Sequence, residues 1–379
     1  MIALPSARMD PHTAVSLYHT ALHPDAWHEV RAPGGYEWWY FDAEDPQTDT
    51  QIVAIFLEGF IFHPGYLRRH DRFRRRPTRH APVRPGDYPC AYFVVYRNGR
   101  ILHQFMTQYR PEQFKASRER PEVAIGPNTM RMNERGAYEL SLRGTPWKLT
   151  ARGPKTLAGQ TLEASLVFSP TIDRAPIERI FLSRAMTGAE HHWVIARPMC
   201  RVEGTIHLRD AASAIETIRF TGDGYHDHNY GTGPIGPGLR RWIWGRAMID
   251  GQVITFHHAA PRDPSLPAES HLIRADESGV EELDVSRERI TVDWRKRTAL
   301  LLRYPRALAF GNALRLSRPR VVDSAPFYMR LTYQAESHGK RGTAFCEVAY
   351  PHRLRWPILG RMIEMSIDKS ALRNPGKPG

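Results

Sequence analysis

The chain has only three cysteines, no CxxC pair, no long helix-period pattern and no apolar run near the length of a bilayer span. Each absence excludes something. Cys90, Cys200 and Cys346 are far apart and odd in number, so neither a disulfide framework nor a cysteine zinc site is expected, and a reducing cytoplasm fits. Residues 1–28 lack a basic start followed by an apolar core, so no signal peptide is read there. Without the ~20 apolar residues that a spanning helix needs, the protein is expected to be soluble or to lie against a membrane. Acidic residues are also in deficit, and a net charge of +13 raises nucleic acid or an anionic membrane surface as partners. Much of that excess is local, from Arg68-Arg69 through Arg72 and Arg74-Arg75-Arg76 to Arg79, and reads as a solvated loop. Nucleic-acid recognition motifs are missing around it.

What the chain does have is short alternating runs between turn residues. Thirty prolines and 28 glycines favour many strands over helices. An N-terminal arm over 1–30, with a short helix over 13–22, precedes Tyr36-Glu37-Trp38-Trp39-Tyr40-Phe41-Asp42. That strand is aromatic on both faces and must be covered on two sides, or line a cavity with one. A strand over 52–60 leads into an arginine- and proline-rich loop, 62–86. Runs 92–96 and 101–107 form a hairpin, because Asn98-Gly99 suits the two-residue turn with both residues at positive φ. Further strands are read over 137–142, 147–151, 162–168, 201–208, 216–221, 242–249, 253–257, 290–294, 299–304, 327–333 and 343–350, with a terminal helix within 351–366. Closely spaced antiparallel strands argue for an all-β chain of two barrel-like domains, 31–190 and 191–370, with the boundary around 185–200.

The densest polar stretch is Gly222-Asp223-Gly224-Tyr225-His226-Asp227-His228-Asn229-Tyr230-Gly231. In extended backbone Tyr225, Asp227 and Asn229 point one way and His226 and His228 the other. Trp242 and Trp244 share a face by the same rule. Burying so many polar groups is costly unless they are used, and a carboxylate beside aromatic rings is open to a large pKa change. The plain alternative is an Asp/Asn-rich turn between strands.

Glu37-Trp38-Trp39-Tyr40-Phe41-Asp42, His191-His192-Trp193, Gly224-Tyr225-His226-Asp227-His228-Asn229 and Trp242-Ile243-Trp244-Gly245-Arg246 occur in fixed order. In that order they resemble the carotenoid 1,2-hydratase (hydroxyneurosporene synthase) superfamily and its AttH-like relatives, over roughly residues 30–355. The resemblance implies two lipocalin-like (calycin) antiparallel barrels in tandem. It also implies addition of water to an unactivated double bond of a hydrophobic isoprenoid without metal or organic cofactor. It carries a His-x-Trp pair onto His191 and Trp193 and a Tyr-x-Asp pair onto Tyr225 and Asp227. The chain departs from the hydratases in having Gly245-Arg246 where they carry Ser-Arg, and the His226/His228 pair looks more like the AttH-like branch. Lipocalin-like relatives that cyclise polyenes or polyketides keep that reaction open.

The expected roles follow from the chemistry of alkene protonation. A carboxylic acid kept neutral by an apolar pocket can donate the proton, which falls to Asp227. Faces of Trp193, Trp242 or Tyr225 can stabilise the cation, and His191 can position water and accept its proton. Glu37, Trp38, Trp39, His226, His228, Asn229, Trp242, Trp244 and Arg246 are the expected substrate-contacting residues, with Glu37 either a second acid or the partner of Arg246. His257-His258 reads as structural or rim. One rival is a divalent ion held by His226 and His228 with His257 or Glu37. Another is a non-catalytic carrier of a hydrophobic ligand. Peripheral contact with an anionic membrane would bring the protein to such a substrate.

Overall fold

The strand Tyr36–Asp45 is buried along nearly its whole length, and both of its faces are used. Tyr36, Tyr40 and Asp42 point to one side and Trp39, Phe41 and Ala43 to the other, as the period of two requires. The computed structural model describes residues 17–373 apart from 151–152, 173, 212, 237, 285–289 and 295. Two antiparallel sheets organise it. In the first, Arg100–Gln108, Cys90–Arg97, Thr50–Glu58 and Tyr36–Asp45 lie in sequence beside Ala214–Gly231, His191–Arg209, Thr161–Pro170 and Tyr138–Gly144, and three shorter strands follow. In the second, Gln252–Pro261, Leu239–Ile249, Lys340–Ala349, Tyr328–Ser337 and Leu314–Ser324 form the centre. Each sheet curls into a lipocalin-like barrel, so the all-β, tandem-barrel expectation holds.

The changeover between sheets falls at 232–238, not around 185–200. His191–Arg209 and Ala214–Gly231 are strands of 19 and 18 residues, and they are the middle of the first sheet. The reason is register: Ala214–Gly231 pairs along Tyr36–Asp45 on one edge and His191–Arg209 on the other, so the early aromatic strand has its neighbour far downstream. Chain order alone does not reveal a pairing of that separation.

The turns follow local sequence. Asn98-Gly99 and Asp250-Gly251 all sit at positive φ (51°, 63°, 50° and 78°) and close two hairpins, the first as its sequence predicts. The segment 62–86 is different: it contains the helix Pro64–Arg75 rather than only a loop. His63 caps it, its ring accepting from the backbone of Gly65 and Tyr66, Pro64 occupies the first turn, and Arg72, Arg74 and Arg75 complement the C-terminal end. The terminal helix appears as Pro357–Met365, after a short 3-10 turn. Of the helix expected over 13–22, residues 13–16 lie outside the described residues, and 17–22 are not helical. Among the described residues no helix is long and apolar enough to cross a membrane.

Three large apolar cores, with two small satellites, result among the described residues. One lies inside the first barrel around Trp39, Phe41, Phe56 and Phe93, and one inside the second around Phe256, Phe310 and Leu331. The third lies where the two sheets meet, and joins Tyr36, Tyr40, Trp193 and Tyr225 to Trp242, Trp244 and Phe327. At ~1.5–3 kcal/mol per fully buried large apolar side chain, this layer is a main adhesive between the barrels. Two buried arginines reinforce it. Arg246 reaches Asp42, and Arg330 donates to Tyr92 and Tyr96 across the divide (2.9 and 2.7 Å) and to Glu347 (2.9 Å).

Candidate active site

The alternation along Tyr225–Tyr230 puts its polar groups into two separate sites, one on each face of the first sheet. Tyr225, Asp227 and Asn229 face the layer between the barrels. His226 and His228 face the interior of the first barrel, stacked on Phe41 and Trp39 (centroids 3.8 and 4.6 Å).

On the inter-barrel face Asp227 is buried and surrounded by donors. The Trp193 indole and Tyr225 hydroxyl donate to Oδ2 (both 2.9 Å), and the Asn229 amide donates to Oδ1 (2.8 Å). Burial nevertheless pushes its pKa up to about 8; the Trp193 and Tyr225 bonds pull it down, and the carboxylates of Glu347 and Asp42 push it further up. Desolvation wins because the three donors are uncharged. Asp227 is therefore mostly a neutral acid at pH 7, as the sequence suggested for an aspartate among aromatic rings.

Around it stand Tyr40, directly opposite Asp227 on the neighbouring strand, and Trp244, whose ring lies 5.1 Å from Tyr40 and 5.4 Å from Tyr225. Trp38 stacks on Tyr36 (4.5 Å), and Phe62 bridges Trp38 and Trp242 (6.3 and 6.0 Å). His191 faces the same layer, its Nδ1 on the Tyr36 hydroxyl (2.8 Å), and burial with His192 nearby pushes it down to about 3. It does not touch the acid. In register it lies opposite Gly231, so along the strands it stands roughly 13 Å from Asp227 at ~3.3 Å per residue.

His257, expected as structural or rim, faces this layer as well. It is buried, its ring packs 6.3 Å from Trp193, the indole that holds Asp227, and 5.1 Å from Phe181. Burial, with His271 and His258 adding to it, lowers its pKa well below the usual value, so it is a neutral imidazole. Among the described residues neither of its ring nitrogens has a hydrogen-bond partner, nor do His191 Nε2, the Tyr40 hydroxyl or the Trp244 indole N–H. A concentration of unpaired buried polar atoms on one apolar layer is what a ligand site requires, since each costs ~1–3 kcal/mol without a partner. The signal available for His257 was its period-two position on the hairpin that follows Trp242-x-Trp244.

The opposite face holds four residues expected at the substrate: Glu37, Trp39, His226 and His228. Glu37 does not pair with Arg246. Its Oε1 accepts from the His28 backbone N–H (2.7 Å) and meets His28 Nδ1 (3.2 Å) and His228 Nε2 (2.9 Å). His226 Nε2 meets Asp25 (3.0 Å), and the Trp39 indole donates to the Asp25 carbonyl (3.0 Å). The N-terminal arm is thus pinned over the first barrel by Asp25 and His28, and by Trp27 donating to Glu58 (2.7 Å). Burial, helped by Glu37, pushes Glu58 well above the carboxylate range. Among the described residues, His28, Glu37 and His228 offer ligand atoms within 4.8 Å of one another and are the group that could hold a metal ion. The envisaged combination of His226, His228 and His257 does not form, because His257 lies on the Asp227 side. A separate open cavity of about 980 Å³, lined by Thr291, Trp294, Leu308 and Arg315 at the second barrel, contains none of these residues.

The donor set on Asp227 yields a test. Trp193→Phe removes the N–H that favours the ionised carboxylate, so the pKa of Asp227 should rise above about 8. Infrared titration of the isotope-labelled carboxyl would read this directly. An unmoved titration would uncouple the indole from the acid.

Two lipocalin-like barrels hold a buried neutral carboxylic acid in the aromatic layer between them, and similarity to hydratases makes the protein a hydro-lyase-like enzyme. The carotenoid hydratase CrtC family matches residues 59–374, and the chain belongs to this family. A relative from Chlorobaculum tepidum named hydroxyneurosporene dehydrogenase is 29% identical over 317 residues, 81% of this chain and 79% of that protein. The acyclic carotenoid 1,2-hydratase of Thiocapsa roseopersicina is 25% identical over 342 residues, 89% of this chain and 74% of that one. Two solved structures share the fold. An AttH-like protein of Nitrosomonas europaea is 14% identical with a TM-score of 0.54, covering 84% of this chain and 93% of its own. Kievitone hydratase of Nectria haematococca is 10% identical with a TM-score of 0.50, covering 89% and 94%.

Proposed function

We propose that this protein adds water across a carbon–carbon double bond of an acyclic, carotenoid-like isoprenoid, with Asp227 as the acid and no metal or organic cofactor. The observation that carries the reading is the burial of Asp227 as a neutral acid in an aromatic layer between the barrels. Its proton goes to the less substituted alkene carbon, the π pair forms the new C–H bond, and a tertiary cation is left. The faces of Trp244, Tyr225 and Tyr40 supply cation–π attraction and offer no competing nucleophile. Water then attacks, and a neutral imidazole takes its proton. Two stand on this face. His257, against the indole that holds the acid, is the nearer base, and His191 is placed to orient substrate or water further along the layer. For His257 or His191 to accept, one ring nitrogen must be unprotonated, which their lowered pKa values support. Peripheral contact with an anionic membrane, where such a hydrocarbon dissolves, belongs to the same reading.

The test is incubation with lycopene or neurosporene in lipid dispersion, followed by mass spectrometry in ordinary and ¹⁸O-labelled water. The expected product has gained one water and carries the label. A product of unchanged mass and altered absorbance would replace hydration by cyclisation, which uses the same acid and walls but excludes water.

A further inference from the structure

We infer that the protein docks on an anionic lipid bilayer through one surface, formed by the helices Pro357–Met365 and Pro64–Arg75, and that this surface lies beside the Phe62 end of the inter-barrel layer. The inference rests on the hydratase reading only for what enters; the docking stands on three observations of its own.

The first is an apolar stripe. Ile358, Met362 and Met365 are 74, 40 and 58% exposed, and they recur at the spacing that places them on one helix face, while Gly360 and Ile363 face the protein. Trp356, 51% exposed, caps the N-terminus of the same helix. Large apolar side chains exposed singly are ordinary; a row of them on one helix marks an interaction surface.

The second is charge. Residues 64–79 contain seven arginines and a single acidic residue, Asp71, and Arg68, Arg72, Arg74, Arg75, Arg76 and Arg79 are all exposed. Arg68 to Glu364 (3.3 Å) ties the two helices together, and Arg355 to Asp71 (3.0 Å) ties the first to the turn that precedes the second. An apolar stripe flanked by arginines, with a tryptophan at its end, matches an interface with acyl chains in the middle and anionic headgroups around them. A nucleic-acid backbone would leave the stripe in water, and a second copy across a two-fold axis would set arginines against arginines.

The third is position. Beside the first helix and the turn Pro351–Arg355 lies a narrow crevice lined by Ile61, Phe62, Leu67, Ile235 and Leu354. Phe62 is also the ring that touches Trp38, Trp242 and Phe327. A hydrocarbon leaving the bilayer at this surface would meet Phe62 and then the aromatic layer around Asp227 without crossing water.

Flotation with vesicles of phosphatidylcholine alone, or of equal parts phosphatidylcholine and phosphatidylglycerol, tests this. The protein should float with the anionic vesicles and not with the neutral ones. Arg72→Gln/Arg75→Gln/Arg76→Gln should weaken the partition on the order of 100-fold, at about 1 kcal/mol per basic residue. Ile358→Glu/Met362→Glu should abolish the binding that survives at high salt. All five positions are exposed, so thermal midpoints should stay unchanged. Absence of binding to anionic vesicles, or binding that neither variant alters, overturns the surface. So does tighter binding to duplex DNA than to the vesicles, or a dimer that Ile358→Glu/Met362→Glu dissociates in place of vesicle binding. Hydration of detergent-dispersed lycopene that persists without vesicle binding would sink the docking surface alone; vesicle binding without hydration would sink only the reaction.

Discussion

Asp227→Asn should fold, keep its affinity for the substrate and lose turnover by a factor on the order of 10³, as expected when a general acid is removed. The variant is close to isosteric, and its hydrogen bonds can be remade. The new amide oxygen takes the places of Oδ2 for Trp193 and Tyr225, and its N–H₂ meets Asn229, whose own amide can turn to present oxygen. What goes is the transferable proton. In the native protein the alkaline side of the pH–rate profile should fall with a midpoint near 8, where the acid ionises. Stability carries an independent signature of the same group. A pKa raised by burial means the folded state binds a proton that the unfolded chain has released, so stability from Asp227 is fully present below about pH 4 and declines until about pH 8. The difference amounts to a few kcal/mol on the order-of-magnitude scale of one tenfold step per 1.36 kcal/mol. Asp227→Asn should therefore be the more stable protein at pH 9, with the advantage shrinking on acidification. Thermal midpoints measured across that range check it without any substrate. Parallel curves for the two proteins would place the ionisation elsewhere. A non-catalytic carrier would show the same stability curves and no turnover in either form.

Most of the chemistry on the Asp227 face was legible because it depends on the alternation of a strand. Tyr225, Asp227 and Asn229 on one side, and His226 and His228 on the other, follow from a period of two. The same rule applied to Tyr36–Asp42 separates Glu37 and Trp39 from Trp38 and Tyr40. What alternation does not reveal is which face of one strand meets which face of another. Glu37 belongs with His28 and His228 because Tyr36–Asp45 lies beside Ala214–Gly231, a pairing across most of the first barrel. That register also removes Glu37 from Arg246 and brings Asp42 to it. Tyr40 shows the cost of reading without register: its place beside Asp227 is set by a cross-strand neighbour far away in sequence. The helix Pro64–Arg75 was hidden for another reason. Its arginines are so numerous that composition suggests solvent, while Tyr66 and His70 are buried on one face and His63 caps the first turn.

Arg246→Met should be among the most destabilising substitutions in the chain, at about 3–5 kcal/mol. Arg246 lies on the second sheet and Asp42 on the first, both 1% exposed. The guanidinium holds Asp42 through Nε (2.5 Å) and Nη2, both on Oδ1. Burial lifts the Asp42 carboxyl to about 6 even against that cation, and neighbouring Glu44 and Glu347 add to the lift. At neutral pH the pair is ionised and self-compensating. With methionine at 246 the shape of the stem is kept, but Asp42 is left as a buried carboxylate beside Glu44, so it must take up a proton or pull the sheets apart. The cost is thus a penalty for stranded charge more than the worth of the pair. Asp42→Leu in the Arg246→Met background should return most of the loss, because both charges are then gone and the layer is already apolar. Urea unfolding of the two single variants and the double variant closes this thermodynamic cycle. An additive double variant would show that the two residues act separately. A recovered one would show that the barrels are held by apolar packing, and that the ion pair fixes which face of the second sheet meets Asp227.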